Sequence, residues 1–260
     1  MNTKNRKTII FLCTIALTIC LVIACYLIFI NINSREDTLT NTNTSLNNNT
    51  NINSNSNNIE EKKNNNQLNC NTDIRMFYKP IIYLYPTEET RLTVKLGKQE
   101  NLLCTYPKYK ESWEVIAKPN GDLIDCNTGR NLYALYWEGI NKKIYNNKME
   151  EGFCVKGTDT IKFLEEKLRI LGLTEREANE FIIYWLPKME NNKYNYIRFQ
   201  AKEEIDDNMP LEISKNPDSE IRVMMEFKPL EEYIEIKEQH LITPERQGFV
   251  LVEWGGTEIK

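Results

Sequence analysis

The chain has 260 residues, with 33 Lys and Arg against 37 Asp and Glu and a formal net charge of -4. With that balance and no basic stripe, nucleic acid and anionic lipid headgroups are poor partners. A single histidine, His240, and seven cysteines without a Cys-x-x-Cys spacing leave no Cys/His zinc pattern, so neither a metal nor a cofactor is expected.

The N-terminus bears on the compartment. After "MNTKNRK", with Lys4, Arg6 and Lys7, "TIIFLCTIALTICLVIACYLIFI" runs over residues 8–30 without a charge. A bilayer core needs roughly 20 apolar residues, whereas a cleavable signal peptide has an apolar region of about 7–15 and an Ala-x-Ala-like exit. The stretch therefore predicts a single-pass transmembrane anchor that is retained. The basic flank precedes it, and Arg35, Glu36 and Asp37 nearly cancel after it. Residues 1–7 are expected in the cytoplasm, with everything beyond the cell membrane outside. "VIAC", ending at Cys25, resembles the bacterial lipoprotein box, which would instead leave a lipid-anchored Cys25. Against that alternative, "YLIFI" continues the apolar run where the box leads one to expect polar residues.

Residues 31–72 are dominated by Asn, Ser and Thr, as in "NTNTSLNNNTNINSNSNN". Ordering a backbone costs about 1–2 kcal/mol per residue, and little apolar surface is present to offset it, so the segment reads as a disordered tether. Asn43 and Asn48 match the glycosylation acceptor pattern, as an Asn-rich run does by chance.

Residues 73–260 are long enough for one extracytoplasmic domain that buries roughly 70% of its unfolded surface. "RMFYKPIIYLYP" and "RLTVKL" read as strands bounded by Pro86 and Gly97. In "SWEVIAKPNGDLIDCNTGRNLYALYWEG", Asn120-Gly121 is a hairpin signal. From Asp159, "DTIKFLEEKLRILG" sets Ile161, Phe163, Leu164, Leu168 and Leu171 mostly at helical spacing, with Thr158 as N-cap and Gly172 as the stop. "TEREANEFIIYWLP" opens with Thr174 and Glu177 as a capping box and is expected to end before Pro187, making a central helical hairpin. "YNYIRFQ", "EIRVMMEFKP", "YIEIKE" and "FVLVEW" read as strands again. The fold class is α+β with a largely antiparallel sheet. Outside the cell, Cys70, Cys104, Cys126 and Cys154 are in a compartment where disulfides persist. Cys104 and Cys126, in neighbouring strand-like segments around the Asn120-Gly121 turn, are the expected pair.

The ordered series "KPIIYLYP", "TYPKY", "LYWEG", "EREANEFIIYWLP", "YNYIRF" and "GFVLVEWGGTEI" resembles a family of uncharacterised bacterial proteins, often exported or membrane-anchored. The resemblance spans nearly all of residues 73–260 and implies one continuous domain and an extracytoplasmic place. It implies no activity.

Two phrases carry the catalytic option. "LYWEG" and "LVEWGG" place Glu138 beside Trp137 and Glu253 beside Trp254, each followed by glycine. Paired carboxylates near aromatic surfaces are what glycoside hydrolysis uses, with Trp137, Trp185 and Trp254 as stacking faces. The alternative is strand alternation, with each Trp buried, each Glu at the wet end of its strand, and glycines letting the chain turn. Arg130 and Arg198 are candidate carboxylate clamps or cross-strand ion pairs. His240, in the polar "KEQHLITPE", is the one imidazole open to a Ser or Cys nucleophile and reads as solvated. "GFCVKGTD" has phosphate-loop glycine spacing but Thr158 and Asp159 where Lys and Ser/Thr are required. The tyrosines of "FYKPIIYLYP" and "CTYPKY" suit an aromatic groove for an extended ligand or ordinary strand packing. The expectation is thus a membrane-tethered binding or envelope-associated module whose partner is an envelope glycan or protein. The alternatives are an acid/base hydrolase of envelope glycans and a protein–protein interaction domain.

Overall fold

The computed structural model describes residues 73–143 and 149–259. The anchor expected at 8–30, the tether at 31–72 and Cys70 lie outside the described residues. Among those described, no helix is long and apolar enough to cross a membrane.

The domain is mixed α+β, mostly antiparallel sheet with few helices. Its strands are β1 (Asp73–Tyr85), β2 (Thr90–Leu96), β3 (Leu102–Tyr106), β4 (Trp113–Ala117), β5 (Leu123–Asp125), β6 (Asn131–Leu132), β7 (Leu135–Lys143) and β8 (Glu151–Lys156). Helices α1 (Thr160–Ile170) and α2 (Glu175–Met189) follow, then β9 (Tyr194–Phe199), α3 (Lys202–Asn208), β10 (Leu211–Ile213), β11 (Ser219–Leu230), β12 (Lys237–Glu238) and β13 (Val250–Glu258). One sheet runs in the order β12-β8-β9-β11-β13-β1-β7-β3, and a smaller one in the order β10-β2-β4-β5-β6.

The two faces of the large sheet carry two separate cores. On one, Ile81, Val223, Val252 and Trp254 meet Leu164 and Leu168 of α1 and Phe181, Trp185 and Met189 of α2. On the other, Ile82, Leu84, Leu135, Trp137 and Leu251 meet Leu92, Val94 and Val115 of the small sheet and Ile205 and Met209 at α3. Period-2 alternation in β1, β7 and β13 sends successive residues to opposite cores.

Local signals are realised where they are self-contained. Gly121 takes a φ of 88° in the β4–β5 hairpin. Thr174 Oγ1 accepts from the Glu177 amide at 3.3 Å, and the Glu177 carboxylate accepts from the Thr174 amide at 2.8 Å. Gly172, with a φ of 84°, ends α1. The N-cap of α1 is Asp159 rather than Thr158, after a short 3-10 turn over Gly157–Asp159.

Three expectations are corrected. Helix α2 does not end before Pro187 but runs to Met189. Pro187 removes the donor to the Ile183 carbonyl, yet Ile183 is 66% exposed, so water can serve that carbonyl while Met189 is anchored in the core. "YIEIKE" supplies only the two-residue β12, and β11 and β13 pair in parallel, with Val223 opposite Trp254. The glycines after the Glu/Trp pairs do not turn the chain. Strands β7 and β13 run on through Gly139, Gly255 and Gly256. A Cβ at Gly255 would stand 3.0 Å from Pro80, and one at Gly256 2.6 Å from the Met225 carbonyl and 2.7 Å from the Trp185 ring, so close approach is what calls for glycine there.

Candidate functional site

The carboxylates of Glu138 and Glu253 lie on opposite faces of the large sheet. Glu253 is fully buried on the small-sheet side, where it accepts from Trp137 Nε1 at 2.8 Å and from Arg222 Nε at 2.7 Å. Glu138 follows Trp137 in β7 and so points the other way, where it accepts the Lys79 amide at 3.1 Å. They share no cleft. The expectation that both sit at wet strand ends is also corrected, because Glu253 is a core ion-pair partner.

The other candidates are mostly structural. Trp137, Trp185 and Trp254 are 0–1% exposed and offer no face to a sugar. Arg198 pairs with Glu204 and, at 3.2 Å, with Glu226, so it clamps protein carboxylates. Arg130 is exposed in the β5–β6 turn, and its carbonyl accepts the Asp125 amide. Cys104 and Cys126 are free thiols: Cys104 pairs with Glu138 on the edge of the large sheet, whereas Cys126 follows β5 in the small one. The expected disulfide fails because the Asn120-Gly121 turn belongs to the β4–β5 hairpin and does not bring β3 to β5. His240 is exposed. Among the described residues no group of three His, Cys, Asp or Glu side chains could hold a metal.

What the fold does assemble is a groove beside α2. On the helix side, Tyr136 and Glu138 of β7 lie opposite Tyr106 and Cys104 of β3, all of them half-buried or exposed. A cleft of about 380 Å³ opens there, lined by Lys79, Ile81, Tyr106, Tyr133, Ala134 and Tyr136. Tyr133 and Ala134 are the link by which the chain leaves β6 of the small sheet for β7 of the large one.

Beside the cleft runs a second stripe of α2. Arg176, Glu180, Tyr184 and Lys188 recur at every fourth residue, one position before the buried Glu177, Phe181, Trp185 and Met189. Spacing of four keeps them on one side of the helix, over about 18 Å at 1.5 Å per residue. Each meets a residue of the sheet or its loops. Arg176 lies 5.3 Å from the Tyr133 ring centre, and the Glu180 carboxylate accepts the Tyr83 hydroxyl at 2.7 Å. The Lys79 ammonium sits 5.8 Å from the Tyr184 ring, and the Lys188 ammonium 5.5 Å from that of Tyr78.

Electrostatics keep the tyrosines neutral. Burial, the Glu138 charge and Tyr78 push the Tyr184 hydroxyl up to about 12. Burial, with the Glu138 hydrogen bond and charge, raises Tyr136 above the usual phenol range, and burial with Glu180 does the same for Tyr83. At neutral pH the groove therefore presents phenol rings and protonated hydroxyls rather than phenolates.

Of the tyrosines in "FYKPIIYLYP" and "CTYPKY", Tyr106 lines the cleft, whereas Tyr83 is buried and Tyr109 is buried in the opposite core. Tyr133, Tyr136, Tyr184 and Lys188 lie outside those stretches, and the four-residue spacing in "REANEFIIYWLPK" is the available signal for the α2 stripe. No family model matches this chain, and neither does any curated protein or any solved structure.

Proposed function

We propose that this chain is a membrane-tethered extracytoplasmic binding module whose groove beside α2 takes an extended envelope glycan. The observation that carries the reading is the cleft itself, about 380 Å³ lined by Tyr106, Tyr133 and Tyr136, with Arg176 and Tyr184 of α2 meeting its lining residues Tyr133 and Lys79. Tyrosine combines an apolar ring with a polar tip, the combination that suits the mixed surface of a sugar. The nearby carboxylates are already occupied: Glu138 by the Lys79 amide, Glu180 by Tyr83 and Arg176. That arrangement supports binding over acid/base hydrolysis. Placement outside the cell rests on the apolar run at 8–30 and its basic flank.

The test is calorimetric titration of the full-length chain in detergent with chitotetraose. Submillimolar binding is expected, and Tyr133→Ala with Tyr136→Ala should weaken it at least about tenfold, near 1.4 kcal/mol, without moving the melting temperature by more than a few degrees. No binding, or binding untouched by both substitutions, would overturn the glycan reading. Release of reducing sugar by the wild type would replace it with an enzyme.

A further inference from the structure

Two ammonium groups approach one ring beside the cleft. Lys79 and Lys188 approach the ring of Tyr184, at 5.8 and 5.5 Å. Lys79 also lies 5.7 Å from the Tyr136 ring, and Lys188 5.5 Å from that of Tyr78. Neither ammonium makes an ion pair among the described residues, although the chain as a whole is acidic. Cation–π contact holds an ammonium in place while leaving its charge in being. The Glu138 carboxylate accepts the Lys79 amide at 3.1 Å and makes no ion pair with either ammonium, so the two lysines outnumber it there.

Lys79 is also held in an uncommon backbone. It takes a φ of 59° in the β1 bulge, where the register shifts between Tyr78 and Ile81 and the next residue, Pro80, has no N–H for a ladder. Glycine or asparagine is the usual occupant of that conformation. The bulge thus fixes the backbone from which the Lys79 side chain reaches the rings of Tyr136 and Tyr184.

We propose that Lys79, which lines the cleft, and Lys188, which approaches the same Tyr184 ring, form an anion subsite beside it, so that the glycan the cleft takes carries a carboxylate or a phosphate. The inference rests on the binding reading above. Lysine is a compact point charge without the planar fork of arginine, so it accepts either oxyanion.

The experiment measures affinities of the full-length chain by saturation-transfer NMR for methyl β-glucoside, methyl β-glucuronide and glucose 6-phosphate. At least one of the charged sugars should bind about tenfold more tightly than the neutral one, and the stronger of the two identifies the oxyanion. Lys79→Gln with Lys188→Gln should bring the ratio of charged to neutral affinity to about one, and 0.5 M salt should reduce that ratio in the wild type. Lys79→Arg with Lys188→Arg should retain it. Equal affinity for all three sugars, or a preference that survives the glutamine pair, overturns the subsite and leaves the binding module standing. No binding of any sugar, together with none of chitotetraose, overturns both.

Discussion

Glu253→Gln is the substitution that most directly tests the division between core and groove. Glu253 is 0% exposed and Arg222 is 2% exposed, with 2.7 Å between their charged atoms. Removing one partner of a buried pair costs about 3–5 kcal/mol, chiefly because the remaining charge is left in a poor solvent. Here Arg222 retains Asp206 at 2.6 Å and the Met209 carbonyl at 2.7 Å, which places the cost near the lower end, about 3 kcal/mol. Glutamine can still accept from Trp137 Nε1, but its amide then faces the guanidinium, donor against donor. For a domain of this size each kcal/mol moves the melting temperature by about 2–4 °C, so a fall of about 6–12 °C is expected by circular dichroism. Glu138→Gln is the control. That side chain is half-buried and its amide oxygen can still accept from Lys79, so a cost of about 1 kcal/mol or less follows. A Glu253→Gln melt within about 2 °C of wild type, or a Glu138→Gln melt that falls as far, would refute the placement of the two carboxylates. A hydrophobic replacement of both Glu253 and Arg222 should recover part of the loss, since no unpaired charge then remains.

Two further outcomes follow from the same structure. Burial pushes the Asp206 carboxyl up, but its hydrogen bond to Lys202 and the charges of Arg222 and Lys202 outweigh that and hold it below the usual carboxylate range. The stability it contributes is present above about pH 3.9, the unfolded value, and is lost as pH falls through the lower folded one. Melting temperatures between pH 6 and 2 should therefore fall less steeply at the acid end for Asp206→Asn than for wild type, and parallel curves would count against it. For the thiols, intact-mass measurement after alkylation without reductant should find Cys104, Cys126 and Cys154 all modified once the chain is unfolded, with Cys104 reacting first in the native protein because it is exposed. Recovery of a Cys104–Cys126 bridged peptide would contradict the separation of their strands.

The features legible in the sequence are those whose cause is local. Thr174 and Glu177 cap α2 through atoms three residues apart, and Asn120-Gly121 shapes a turn from its own dihedrals. What was not legible depends on pairing over long separations. Trp137 and Glu138 had to point to opposite faces, yet which face belonged to which core was decided when β1 took β7 on one edge and β13 on the other. The parallel register of β11 with β13 has no signature in either strand. Helix α3, in "AKEEIDDNM", is too short for an apolar period, and only Ile205 and Met209 of that segment join the core. The glycines after both Glu/Trp pairs looked like strand exits because their neighbours in space, Asn101, Pro80 and Trp185, come from elsewhere in the chain.

The same separation explains why one helix can serve the fold and the groove at once. Glu177, Phe181, Trp185 and Met189 are buried, while Arg176, Glu180, Tyr184 and Lys188 sit one residue earlier in each turn and are rotated by about 100° toward the groove. Core substitutions thus act first on stability, and substitutions in the outer stripe first on the proposed binding. Lys188 belongs to the second set only because α2 passes through Pro187 rather than stopping at it. Had the helix ended where the proline suggests, Lys188 would have lost its place four residues after Tyr184, and Met189 would have lost the helical position from which it enters the core. The exposed residue Ile183 thus marks the turn at which the helix tolerates its proline, and that tolerance extends both stripes by their last member.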